Sequence, residues 1–213
     1  MASTATRLRP PPPSKLIHPI VEVCTLDSQL VRVYDPRSPH KPTELTFRAF
    51  GPLLRFDHHE FVNTGAGNSA TRGIWYGAYS DLPCAVVEVF ADDEVIRPKH
   101  YRLAYPELTH PLRLLDLRRN GAMRAGTTPE ISKTADYELP WDWSRYWYSS
   151  AACDSVDGIL YYGARNDGHC VALYERAATS LVCDRCSIEL GHPALRDELL
   201  RIADETGFRL VIN

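Results

Sequence analysis

One carboxylate stands alone in RGIWYGAYSDLPCAVVEVF, residues 72–90. Glu88 interrupts the apolar run over 85–90, which holds no Lys, Arg or Asp, so it has no charge partner nearby in sequence. A carboxylate among apolar neighbours is seldom buried unless it is paired. Either Glu88 points outward from a half-buried element, or it sits in a site built to use a carboxylate. Two arginines pose the same choice. Arg32 lies between Val31 and Val33 in LVRVY and, in a strand, faces away from both. It is either a solvated side chain or one that reaches from a sheet into a cleft. Arg55 follows two leucines and precedes Phe56, close to apolar surface. Three aromatic residues, Trp75, Tyr76 and Tyr79, come shortly before Glu88.

Other candidate motifs carry less. His58 and His59 are adjacent, and neighbours on a regular element cannot both face one metal ion. GAGNSA, residues 65–70, lacks the lysine and the spacing of a phosphate-binding P-loop and reads as a flexible loop beside the site. Cys183 and Cys186 form a lone CxxC. Zinc needs four ligands, so Cys170 and His192 would have to be recruited. A thioredoxin-type motif would follow a strand-to-helix junction that is missing here.

The elements that must position these residues can be read from periodicity. Residues 30–34, 74–78, 112–117, 158–164 and 170–174 are predicted strands, and 45–50 a short one. Asn166-Asp167-Gly168 is a hairpin signal. Ser80 is expected to cap a largely buried helix over 84–90, with Pro83 near its start, although AVVEVF also suits a strand. A helix is expected over 141–153, with Trp141, Tyr148 and Ala152 on one face and its aromatic residues in the core. An amphipathic helix over 193–206 ends at Gly207, ahead of a last strand over 208–212. Residues 1–15 end in four prolines and are expected to form a disordered lead-in. Residues 16–213 then form one domain.

Composition sets the bounds. The chain has 213 residues, 44% of them hydrophobic and 24% charged, enough to bury a core without staples. A net charge of -3 with no basic stripe argues against direct nucleic-acid binding. No run approaches the 18 apolar residues of a membrane span. The first residues lack a signal-peptide core. The expected location is therefore the cytoplasm, with the six cysteines as free thiols.

In their order and spacing, LVRVYDP (30–36), RFDHH (55–59), GIWYGAYSDLPCAVVEVF (73–90), LRLLDL (112–117) and DGILYYGARNDGHCVALYER (157–176) resemble the RES domain family, named for its Arg, Glu and Ser. The resemblance implies an α+β fold, a single compact domain with a split mixed β-sheet, similar to ADP-ribosyltransferases. It also implies a toxin of a bacterial toxin–antitoxin pair. Such a toxin cleaves the nicotinamide–ribose bond of NAD by phosphorolysis or hydrolysis and is held in check by an antitoxin protein. NAD would be the substrate, with no bound cofactor and with inorganic phosphate as co-substrate if cleavage is phosphorolytic. Arg32 and Arg55 would match the family's arginines and hold the pyrophosphate, Tyr76 would pack on nicotinamide, and Glu88 would match the family's glutamate.

These residue types suit that chemistry. Guanidinium forks bind phosphate oxygens in pairs, a flat ring packs on an aromatic one, and a carboxylate stabilises the cation that develops on the ribose. The chain departs from the family pattern in two places. Gly163 stands where the family has its serine and could offer a ligand only its backbone N–H, leaving Ser149, Ser150 or Ser155 as substitutes. The spacing from Tyr76 to Glu88 is one residue longer than usual. Two further readings stay open: a non-enzymatic member that binds a nucleotide or a partner, and a transferase that moves ADP-ribose to another acceptor.

Overall fold

Near-continuous apolar runs in the central strands, such as GILYY and CVALY, make a sheet that is buried on both faces. Its eight strands are Val21–Cys24 (β1), Leu30–Tyr34 (β2), Ile74–Tyr79 (β3), Arg102–Ala104 (β4), Leu112–Asp116 (β5), Gly158–Tyr162 (β6), His169–Tyr174 (β7) and Ser187–Glu189 (β8). They lie in the order β1-β5-β6-β7-β3-β2-β4-β8. Of these neighbours β5 and β6 are parallel and the rest antiparallel. The structure, a computed structural model, describes residues 8–63 and 65–212. Helices Leu82–Phe90 (α1), Gly121–Arg124 (α2), Glu138–Ser149 (α3) and Arg196–Thr206 (α4) complete a mixed α+β architecture.

Successive residues of each strand serve opposite faces. Ile159 and Tyr161 of β6 join the larger core, with Val86 and Phe90 of α1 and Trp143 and Trp147 of α3. Leu160, between them, joins a second core with Trp75, Leu114 and Leu173. The strand β2 changes partner midway. Leu30 and Val31 pair with Tyr79 and Ala78 of β3, whereas Arg32, Val33 and Tyr34 pair with Ala104, Leu103 and Arg102 of β4. The first half of β3 therefore parts from β2, and the sheet forks at Arg32.

The helix over 82–90 forms as expected, with Pro83 in its first turn, but its cap is Asp81 rather than Ser80. One Asp81 oxygen accepts from the Cys84 N–H at 2.8 Å and the other from the His169 N–H at 3.3 Å, which ties the start of α1 to β7. Ser80 instead takes a positive φ of 53° and donates its N–H to Gln29. In α3 the buried stripe is Pro140, Trp143, Ser144 and Trp147 rather than Trp141, Tyr148 and Ala152. The helix ends at Ser149, and Ala152 falls in a separate 3-10 turn. The rings of Trp143 and Trp147 pack at a tilt of 35° with centres 5.3 Å apart, and their N–H groups donate to the carbonyls of Arg9 and Ala125. The expected strand over 45–50 shrinks to a bridge between Arg48 and Ile74 and a two-residue pairing of Phe50–Gly51 with Gly67–Asn68.

Two expectations about the chain as a whole need revision. The lead-in is expected to be disordered over residues 1–15, and its first seven residues lie outside the described part. In the described part Leu8 is buried in the larger core and the Arg9 carbonyl accepts the Trp143 N–H, whereas the side chains of Arg9, Pro10, Pro12, Ser14 and Lys15 are exposed. The proline run precludes a ladder, yet it carries the chain along the surface, where Pro13 lies beside Gly126. The cysteines are not all thiols either. Cys183 and Cys186 are joined in a disulfide, with their Cα atoms 5.1 Å apart, while Cys24, Cys84, Cys153 and Cys170 are free and buried. No helix among the described residues is long and apolar enough to cross a membrane.

Trp147 is fully buried and bonded through its only donor. Trp147→Ala is expected to cost about 3–5 kcal/mol of stability, read from urea unfolding, with no loss of the sheet signal in circular dichroism at low denaturant.

Candidate active site

The fork in the sheet is the back of a cleft of about 680 Å³, a size typical of small-molecule sites. Arg32, Val33 and Tyr34, which β3 does not pair, form one wall, and Ile74, Tyr76 and Gly77, which β2 does not pair, form the facing one. Glu88 projects into the cleft from α1, Arg55 from the loop before β3, and Ala164 and Arg165 from the turn after β6.

Four residues singled out in the sequence therefore meet here. Glu88 is open to solvent, yet it stands among protein walls. That enclosure raises its pKa above the ordinary carboxylate value, while the Arg165 N–H, the charges of Arg55 and Arg165, and the Ala164 N–H oppose the rise. Arg32 donates to the Thr46 carbonyl at 2.9 Å and lies 5.3 Å from the Trp75 ring centre. Burial pulls its pKa down to about 10, so it remains cationic at neutral pH. Arg55 donates to the Thr134 carbonyl and lies 4.9 Å from the Tyr137 ring centre. Among the described residues neither Arg32 nor Arg55 forms an ion pair, which leaves both guanidinium groups with donors for an anion.

Tyr76 lines the cleft with its ring while its hydroxyl is turned inward. It donates to Asp57 at 2.7 Å and accepts the Phe56 N–H at 3.1 Å. Burial and the Asp57 charge push the Tyr76 pKa well up, so the phenol stays neutral. Asp57 is fully buried. Nη2 of Arg48 also reaches both Asp57 oxygens, at 2.9 and 2.8 Å, while Nη1 turns to the Phe50 carbonyl, and the N–H groups of Leu53 and Leu54 donate at 2.6 and 3.2 Å. One carboxylate thus fixes the loop that carries Arg55 to the strand that carries Tyr76.

Gly163 lies beside Glu88, but its N–H is not offered to a ligand as the sequence suggests, because it donates to the Gly168 carbonyl at 2.7 Å and closes the turn. The donors that face Glu88 are the next two N–H groups along the chain. Ser149, Ser150 and Ser155 are absent from the cleft lining, as are the described residues of the Gly-rich loop over 63–71. His58 and His59 are buried supports. His59 bonds the Arg48 carbonyl at 3.1 Å, and His58 bonds Glu175 at 2.8 Å. Glu175 also accepts from Tyr148 and from the Gly73 N–H, and the guanidinium groups of Arg72 and Arg176 lie 3.8 and 3.9 Å from the Tyr148 ring centre.

Sequence reasoning missed Arg48, Asp57 and Arg165. Asp57 and Arg165 sit in stretches already singled out, RFDHH and GAR, two residues after Arg55 and Gly163. For Arg48 no local pattern gives a signal. Arg165 pairs with Asp92 at the end of α1, and Lys133 with Asp167, so the turn after β6 is latched on both sides.

A protein-family model described as the RES domain matches residues 29–192. A curated relative from Sinorhizobium fredii, described as "Probable toxin y4kH", is 32% identical over 108 residues, which cover 49% of this chain and 79% of that protein.

The network behind the cleft predicts acid lability. Burial lowers the His58 pKa below its ordinary 6.5, and among the described residues its Nδ1 has no acceptor for a second proton. The folded protein therefore holds His58 neutral, and the stability it contributes is full above pH 6.5 and falls as pH drops below that. For Glu175, burial acts to raise the pKa, but the bonds from His58, Tyr148 and Gly73 outweigh it and hold it at about 2, against an ordinary 4.5. Its contribution is full above pH 4.5 and is lost as pH falls from there toward 2. Urea midpoints should decline in these two successive ranges, and Glu175→Gln should remove the lower one.

Proposed function

The chain belongs to the RES domain family, and from that premise we propose that it is an NAD-consuming toxin that cleaves the nicotinamide–ribose bond and is inhibited by a partner antitoxin. The observation that carries this reading is Glu88 standing in one cleft with two arginines, Arg32 and Arg55, that form no ion pair among the described residues. The description of the Sinorhizobium relative as a probable toxin supports the toxin half. The forked mixed sheet supports reading the fold as ADP-ribosyltransferase-like.

In this reading the guanidinium groups of Arg32 and Arg55 bind the pyrophosphate oxygens. The Tyr76 ring, its hydroxyl pinned by Asp57, gives the nicotinamide a rigid apolar face. The C1–nitrogen bond breaks with its electron pair going to nicotinamide, which leaves as a neutral ring. Positive charge is left on the ribose, and the Glu88 carboxylate, held by neighbouring N–H groups, stabilises it. Water then adds to C1 and releases a proton to give ADP-ribose, or phosphate adds to give its 1-phosphate. Nicotinamide is a good leaving group, so no strong general acid is required.

A second reading, a cleft that binds a nucleotide without cleaving it, is favoured by Gly163, which brings no hydroxyl to Glu88.

The test is nicotinamide release from NAD by the purified protein, with and without inorganic phosphate, resolved by chromatography. Release by the wild type is expected, and Glu88→Gln should slow it by about a hundredfold or more while retaining NAD binding. Arg55→Ala should raise KM. The raised Glu88 pKa places the acid limb of the rate profile above pH 4.5, because activity needs the anion and fades as pH falls through that pKa. No release from folded wild type would select the binding reading.

A further inference from the structure

Gly163 follows β6 in ordinary backbone geometry, since Gly126 and Gly207 are the glycines with positive φ among the described residues. Conformation therefore does not call for a glycine at 163, and space does. A Cβ built there would lie 2.6 Å from Oε1 of Glu88, 3.4 Å from its Cδ and 3.1 Å from Sγ of Cys170. Contacts of 2.6 Å are well inside van der Waals distance. Oε1 of Glu88 thus lies in the volume that any side chain at 163 would need, while its Cδ stands at the edge of ordinary contact.

The two neighbours differ in what they can yield. Cys170 is buried, with its sulfur 3.3 Å from that of Cys84, one helical turn before Glu88 on α1. It has nowhere to retreat. Glu88 is a flexible side chain facing solvent, so it is the group that would move. Moving it would take the carboxylate away from the Ala164 and Arg165 N–H groups that now face it.

We propose that Gly163 is a positioning residue, the seat of the Glu88 carboxylate, and that an added side chain there displaces Glu88 from its working position. This inference rests on the reading of Glu88 given above. One consequence runs against intuition: Gly163→Ser, which restores the hydroxyl of the family pattern, impairs the site and does not improve it. The loss comes from the Cβ, so Gly163→Ala has the same effect.

The test uses the full chain and two readouts. The first is the titration of the Glu88 carboxyl by carbon NMR, its signal identified by its absence in Glu88→Gln. The second is nicotinamide release from NAD. In Gly163→Ala the Glu88 titration is expected to move back toward the ordinary value of 4.5, because the carboxylate leaves its enclosure. Nicotinamide release is expected to fall roughly tenfold or more, with Gly163→Ser no better. An unmoved titration in Gly163→Ala, or faster release by Gly163→Ser, would overturn the inference. If the wild type releases no nicotinamide, the reading of the cleft fails by itself. The titration still decides whether Gly163 seats Glu88. Should Gly163→Ala fail to fold, Glu88→Ala combined with it removes the obstacle and is expected to restore folding, and failure of that double variant would also count against the proposal.

Discussion

A fully buried carboxylate with no access to water has to be matched by donors, and Asp57 is matched by four groups: Nη2 of Arg48, which reaches both oxygens, the Tyr76 hydroxyl and the N–H groups of Leu53 and Leu54. Desolvating such a charge costs several kcal/mol, so the donors cannot be surrendered one at a time. The loop over 48–57 has almost no regular structure of its own, yet the carboxylate makes it as determinate as the sheet. Arg55 and Tyr76 are 21 residues apart and belong to different elements. Their separation across the cleft is set by Asp57, two residues from the one and hydrogen-bonded to the other. The same constraint accounts for His59, which bonds the Arg48 carbonyl and so supports the arginine that neutralises Asp57.

The cleft exists because one strand serves two partners. If β2 paired with β3 along its whole length, Arg32 would be one more side chain on a continuous sheet. Because β2 turns to β4 after Val31, the facing edges of β2 and β3 are left to a ligand. The α1 helix closes the opening from the side, held at its start by Asp81, which binds both its own first turn and the first residue of β7. Charge follows the same logic. Arg48 and Arg165 are neutralised by Asp57 and Asp92, and Arg32 and Arg55 are left for whatever enters.

Much of this was legible in the sequence, for identifiable reasons. Period-two alternation marked the strand at 30–34, and short apolar runs marked those expected over 112–117, 158–164 and 170–174, which form over 112–116, 158–162 and 169–174. Pro83 and the apolar run behind it marked α1, although its cap moved from Ser80 to Asp81. A serine held at positive φ and bonded to Gln29 cannot lead into a helix, and a carboxylate could serve two N–H groups at once. The four residues gathered in the cleft were picked out because charge beside apolar sequence is conspicuous. The pairing of Arg48 with Asp57 was not, since both lie in irregular chain where no period relates them. The disulfide at Cys183 and Cys186 and the packing of Leu8 were missed for a related reason. Composition describes what a segment prefers in isolation, whereas the fold supplies neighbours that composition does not encode.

The order of strands in the sheet also has a consequence in time. As the chain is made from its first residue, β3 emerges long before β7, the neighbour that pairs with all but one of its six residues. The turn carrying Ala164 and Arg165 sits just ahead of β7, so the carboxylate of Glu88 gains its N–H neighbours late in synthesis. Pairings this distant along the chain form slowly and together rather than piece by piece. A nascent chain that has not yet reached Tyr174 therefore carries no complete cleft, whatever that cleft goes on to do.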